Sequence, residues 1–158
     1  MGARISAFGH YIPSKKITNL ELAKRFSIEA QKIENKTGII ERRYCDVEAT
    51  SDMAYYAIQD AILNSNLDVS VIDCLIVATI TPDYRCPSTA AILQQKLNIN
   101  NIFSFDIMAA CCGYLYALSL AKALIESKMY KNIMILGAEK LSSITDENDR
   151  KACRRNGD

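Results

Sequence analysis

Two adjacent thiols open a long apolar run in AACCGYLYALSLAKALIE, Ala109 to Glu126. A thiol can do chemistry where a strand turns into a helix. The first amides of a helix lack intrahelical partners, and the positive end of the macrodipole lies beside them. A thiolate is stabilised at such an end and becomes a nucleophile at neutral pH. Unpaired amides there can also hold the oxyanion of an attacked thioester. Gly113, directly after the pair, lets a backbone or a ligand approach closely. Against this stands a plainer reading, because cysteine is among the most buried residue types and can simply fill core space. Spacing alone separates neither these two readings nor Cys111 from Cys112.

The elements that must position this turn follow from periodicity and punctuation. Arg4 to Tyr11 reads as a first strand, closed by Pro13. Thr18-Asn-Leu-Glu21 is a capping box that opens a short helix. Ile28 to Lys36 continues helical until Gly38, and Ile39 to Cys45 is extended. Thr50 or Ser51 caps a helix in which Met53, Ala54, Ala57, Ile58, Ala61 and Ile62 share one face. Cys74 to Ile80 is a continuous apolar run rich in β-branched residues, the mark of a strand buried on both faces. Ala90 to Leu97 is helical, Asn101 to Ile107 a strand, Tyr114 to Ile125 a helix apolar enough to be nearly surrounded by protein, and Asn132 to Ala138 another buried strand. This alternation predicts an α/β fold with right-handed crossovers and a mostly parallel sheet.

Composition removes several classes of function. The 158 residues include 19 Lys and Arg against 18 Asp and Glu, so no strong field points to nucleic acid or a membrane surface. Lys122 and Glu126 interrupt the best candidate for a membrane span. The start MGARISAFGHYIP lacks the pattern of a secretory signal. Cys45, Cys74, Cys86, Cys111, Cys112 and Cys153 have no zinc-type spacing, and His10 is the one histidine. No metal site is therefore expected, and free thiols in a reducing cytosol fit better than disulfides.

The segments TSDMAYYAIQDAILNSNLDVSVIDCLIVATITPDYRCPSTAAILQQKLN, FDIMAACCGYLYAL and MYKNIMILGAEKLSSITDENDR resemble, in order and spacing, the β-ketoacyl-acyl carrier protein synthase III family. KTGIIERR (Lys36 to Arg43) resembles the early R-T-G-I-x-E-R segment of that family. The resemblance covers almost the whole chain. It implies the N-terminal half of a thiolase-like fold, a mostly parallel mixed sheet with helices on both faces, as one domain over residues 1–158. By the family pattern the cysteine directly after Ala-Ala, here Cys111, is the acylated nucleophile, and Cys112 holds a position usually given to a small residue. The implied reaction loads an acyl group from acyl-CoA onto Cys111 and then condenses it with malonyl-acyl carrier protein by decarboxylation. No permanently bound cofactor is implied. CoA contacts fall on Lys36 and Arg150, against a plain reading of Lys36 as a solvated charge and of Arg150 as a helix-end or surface ion-pair residue. A homodimer and a cytoplasmic location are further implications.

Three departures from the family pattern modify these expectations. Lys32 stands where many relatives carry an adenine-stacking tryptophan. Cys86 replaces a phenylalanine that usually borders the acyl pocket, which leaves room for a longer or branched primer. The histidine and asparagine of the family's carbanion-forming step belong to its second half, whereas this sequence reaches only Gly157-Asp158 of the G-D-G-A-G-A segment, with Arg154-Arg155-Asn156 in place of an apolar strand. His10 is expected to be an ordinary strand or loop histidine. The expectation is then a fragment, or a chain completed by a separate second half, that accepts acyl groups at most and associates through exposed apolar surface. Another thiolase-fold condensing enzyme, of polyketide or quinolone type, and an inactive binding or dimerisation piece are the alternatives.

Overall fold

A computed structural model describes residues 2–66 and 68–158. In chain order the elements are β1 (Lys15–Thr18), α1 (Asn19–Phe26), α2 (Ala30–Thr37), β2 (Glu41–Tyr44), α3 (Thr50–Ser65), β3 (Cys74–Ala78), α4 (Thr89–Lys96), β4 (Phe103–Ile107), α5 (Gly113–Glu126), β5 (Ile133–Gly137) and α6 (Arg150–Cys153). They fall into two compact units. One comprises residues 2–11 and 49–139, the other residues 12–48 and 140–158.

The first unit is built around β3, every residue of which is buried. β3 pairs in parallel with β4 on one side and β5 on the other, so the order is β4-β3-β5. Side chains alternate across a strand, and the two faces of β3 enter different cores. Leu75 and Val77 pack with Ala54 and Ile58 of α3, Ala90 and Leu93 of α4, and Leu136 of β5. Cys74 and Ile76 pack with Ala117 and Ala121 of α5. Helices thus cover both faces, the arrangement in which a strand reads as an unbroken apolar run.

The second unit holds the antiparallel pair β1–β2, with Lys15 opposite Tyr44 and Thr18 opposite Glu41. The Thr18 capping box is present: Thr18 Oγ1 accepts from the Glu21 amide, and the Glu21 carboxylate accepts from the Thr18 amide. α2 stops at Gly38, whose φ of 71° suits glycine. Arg42 is buried and donates to Asn19 Oδ1 and to the carbonyls of Ile17 and Arg154.

Three sequence expectations need correction. Residues 4–11 form no strand: Gly9 crosses α3 so closely that a Cβ would fall 2.3 Å from the Ala57 carbonyl oxygen, and the His10 amide donates to Asp60. α3 is capped at Ala49, whose amide donates to Asp52 at 2.9 Å; the Thr50 hydroxyl is engaged elsewhere, donating to the Thr81 carbonyl. Among the described residues α5 is not surrounded. Its Gly113, Ala117 and Ala121 stripe is buried, while Tyr114, Leu115, Tyr116 and Leu120 are exposed.

Burial raises the Cys74 thiol from 9.0 to about 11, with Asp73 adding to it, and the Cys45 thiol likewise to about 11 with help from Asp158. Between these two values the folded chain holds protons that the unfolded chain releases, so stability falls as pH rises. The urea midpoint is expected to hold up to about pH 9 and then decline toward pH 11. Cys74→Ala, though less stable throughout, should show a flatter decline; an unchanged slope would contradict this assignment.

Candidate functional site

The site is built where the parallel strands end. In open α/β sheets, ligands gather at the carboxyl ends of the strands, where successive connections leave toward opposite faces. Here α4 leaves the C-terminal end of β3 toward one face and α5 leaves β4 toward the other. The strand ends are tied together: the Thr79 amide donates to the Ile107 carbonyl and the Ala138 amide to the Ala78 carbonyl.

Two residues after β4 the chain enters a tight turn, Ala110–Cys112, that runs directly into α5. Cys111 and Cys112 are both exposed. Ala110 has φ 47°, a left-handed conformation that costs an alanine about 1–2 kcal/mol. Strain of this kind persists only where the surroundings enforce it, and it gathers at functional sites. Nothing in the sequence announces it, since alanine is not a residue from which positive φ is read.

Gly113 answers what the glycine after the pair is for. A Cβ there would lie 3.1 Å from Ala78 Cβ and 3.8 Å from the Ile107 carbonyl oxygen. The close approach is therefore to the end of β3, and it presses the first turn of α5 onto the sheet. One expectation changes. The amide of Cys112 donates to the Ala109 carbonyl at 3.1 Å, and that of Gly113 to the Ala110 carbonyl. These two amides serve the turn, so they are not free to hold an oxyanion; the helix dipole remains.

Two carboxylates missed by the sequence reading hold the frame. Asp106, on β4, accepts from the amides of Thr89 (2.7 Å) and Ala90 (2.8 Å) and so caps α4 alongside Ser88. Glu139, just after β5, accepts from the Ile80 amide at 2.9 Å and the Thr81 hydroxyl at 2.6 Å, fixing the loop after β3. The available signal was an acidic residue inside or directly after an apolar strand, as in FSFDI and ILGAEK. Cys86 is exposed in that same loop.

Of the other candidates, Lys36 lies exposed in the last turn of α2 and Arg150 exposed at the start of α6, both in the second unit. No carboxylate lies within 4.0 Å of either among the described residues. Lys32 is paired with Glu29 at 3.1 Å. His10 is exposed, and its Nδ1 stands 3.2 Å from Asp60. No group of three metal-ligating side chains occurs among the described residues, and no described helix is long and apolar enough to cross a membrane.

A family model described as 3-oxoacyl-[acyl-carrier-protein (ACP)] synthase III matches residues 105–158. The chain is 49% identical to a β-ketoacyl-[acyl-carrier-protein] synthase III of Sulfurimonas denitrificans, over 99% of its own length and 48% of the relative's. It superimposes on the crystal structure of 3-oxoacyl-[acyl-carrier-protein] synthase III from Aquifex aeolicus with TM-score 0.96 and 40% identity, covering 99% of this chain and 51% of that one. The priming β-ketosynthase of the R1128 polyketide biosynthetic pathway matches with TM-score 0.93 and 28% identity, over 98% and 47%. The chain spans about half the length of the curated relatives it matches.

The Asp106 cap is testable. Two hydrogen bonds to an ionised acceptor predict that Asp106→Ala lowers the unfolding free energy by about 2 kcal/mol. Asp106→Asn should lose less. A urea titration that finds Asp106→Ala within about 0.5 kcal/mol of the parent, as for an ordinary surface change, would contradict the role.

Proposed function

We propose that this chain, which belongs with the β-ketoacyl-acyl carrier protein synthase III family over the half of that protein it spans, carries the acyl-accepting step, with Cys111 as the nucleophile. The observation that supports this most is the Ala109-Ala110-Cys111 turn: an exposed thiol, directly after a left-handed alanine, at the start of a 14-residue helix seated on the strand ends. In this reading the Cys111 sulfur attacks the carbonyl carbon of an acyl-CoA. The tetrahedral intermediate collapses, CoA leaves as its thiol, and the acyl group remains as a thioester on Cys111. The turn that carries the sulfur runs directly into the N-terminus of α5.

Lys36 and Arg150 are assigned to CoA, whose phosphates suit an ammonium and a guanidinium. Condensation with malonyl-acyl carrier protein, as in fatty acid synthesis, is assigned to the complete fold, because the family resemblance gives the carbanion-forming step to a histidine and an asparagine outside these 158 residues. His10, held by Asp60, is not given that role. A polyketide-type priming role is the second reading, on the likeness to the R1128 enzyme; the higher identity to fatty-acid-type relatives favours the first.

The test is peptide mass spectrometry after incubation with an acyl-CoA. An acyl adduct on Cys111, absent in Cys111→Ala, is expected, together with no β-ketoacyl product when malonyl-acyl carrier protein is added to this chain alone. Lys36→Ala and Arg150→Ala should each raise the half-saturating acyl-CoA concentration about tenfold, the loss of one charge-assisted contact. No adduct at Cys111 would overturn the assignment.

A further inference from the structure

The second thiol of the pair has no part in that reaction, yet its placement has chemical consequences. Cys111 and Cys112 are consecutive, both exposed, and both in the turn before α5. The peptide joining them is trans, since the cis bond among the described residues is Cys86–Pro87. Cα atoms across a trans peptide stand about 3.8 Å apart, closer than the roughly 4.4–6.8 Å of an ordinary disulfide. Hydrogen bonds from the Cys112 and Gly113 amides also pin the turn. Direct S–S closure therefore works against this backbone. A single atom bridging the two sulfurs enlarges the ring and relieves the conflict.

The donor count selects the bridging element. Among the described residues no third His, Cys, Asp or Glu joins the pair to make a metal-binding group, so it offers two thiols. Zinc in a protein site takes four ligands and is poorly served. A monosubstituted trivalent arsenical already carries one carbon group, needs two more bonds, and prefers soft sulfur donors. We propose that Cys111 and Cys112 together form a two-thiol site for such arsenicals. In the reaction both S–H bonds and the As–O linkage break, two As–S bonds form, and the oxygen leaves as water with the two thiol protons. Arsenic stays trivalent and nothing is oxidised. The site shares Cys111 with the acyl-accepting reading but needs no CoA thioester. Its effect on that reading is to cap the nucleophile. Cys45, Cys74 and Cys153 are buried, and Cys86 has no neighbouring thiol in sequence.

The probe is phenylarsine oxide, added in equimolar amount to the reduced 158-residue chain, followed by excess 2-mercaptoethanol and intact mass spectrometry. The chain is expected to keep one phenylarsenic group and to surrender it to the dithiol 2,3-dimercaptopropanol. Cys111→Ser and Cys112→Ser should each retain roughly a hundredfold less, the advantage of a tethered second donor; Cys86→Ser should retain as much as the parent. A readout independent of any variant is alkylation of the adduct with iodoacetamide, in which Cys86 is labelled and both Cys111 and Cys112 are protected. Retention in Cys112→Ser equal to the parent, displacement from the parent by monothiol, or labelling of either cysteine in the adduct would overturn the site. A chain that holds the arsenical but takes no acyl group from acyl-CoA supports this site and overturns only the acyl-accepting reading.

Discussion

The arrangement at the strand ends depends on how closely the first turn of α5 lies against β3. Gly113 is buried, and a methyl group in place of its hydrogen would stand 3.1 Å from the Ala78 side chain. This contact sets the height of α5 above the sheet. The small stripe Gly113, Ala117 and Ala121 continues it down the helix against Cys74 and Ile76. A larger residue at 113 would lift the helix start, and the turn carrying the two thiols would move with it. The left-handed Ala110 fits the same constraint, because the chain must leave β4 and enter a helix held tight to the sheet within a few residues.

Polar tethers then fix what packing leaves adjustable. Asp106 joins the end of β4 to the first turn of α4, and Glu139 joins the end of β5 to the loop after β3. Each satisfies backbone amides that would otherwise lie half-buried without partners. Three strands, the loop after β3 and the start of α4 are thereby fastened at one end of the sheet. The two exposed thiols therefore sit in a turn whose neighbouring elements are held rigidly, and rigid elements hold a site more closely than loops do.

Much of this was legible in the sequence, for physical reasons that can be named. CLIVA read as a buried strand because helices on both faces remove any need for polar alternation; IMILG, read the same way, is a strand but lies at the sheet edge, where Leu136 is buried and Ile133, Met134 and Ile135 are half-buried. The Thr18 capping box and the Gly38 stop are local chemistry, complete within four residues. What was not legible is tertiary. RISAFGHY has the alternation of a strand but pairs with none; at its end Gly9 crosses close to α3 and the His10 amide donates to Asp60. Thr50 looks like a cap, but a carbonyl distant in sequence takes its hydroxyl. The positive φ of Ala110 and the caging of the Cys112 and Gly113 amides belong to the turn as a whole, not to any single residue type.

If Cys111 is the nucleophile, this turn must make it the most reactive thiol of the six. The direct measurement is the alkylation rate of each cysteine in the native chain, read by peptide mass spectrometry after timed exposure to iodoacetamide near neutral pH. Cys111 is expected to react first, Cys112 and Cys86 more slowly, and the buried Cys45, Cys74 and Cys153 only after unfolding. A Cys111 rate no greater than that of Cys86, an exposed cysteine in an ordinary loop, would contradict it.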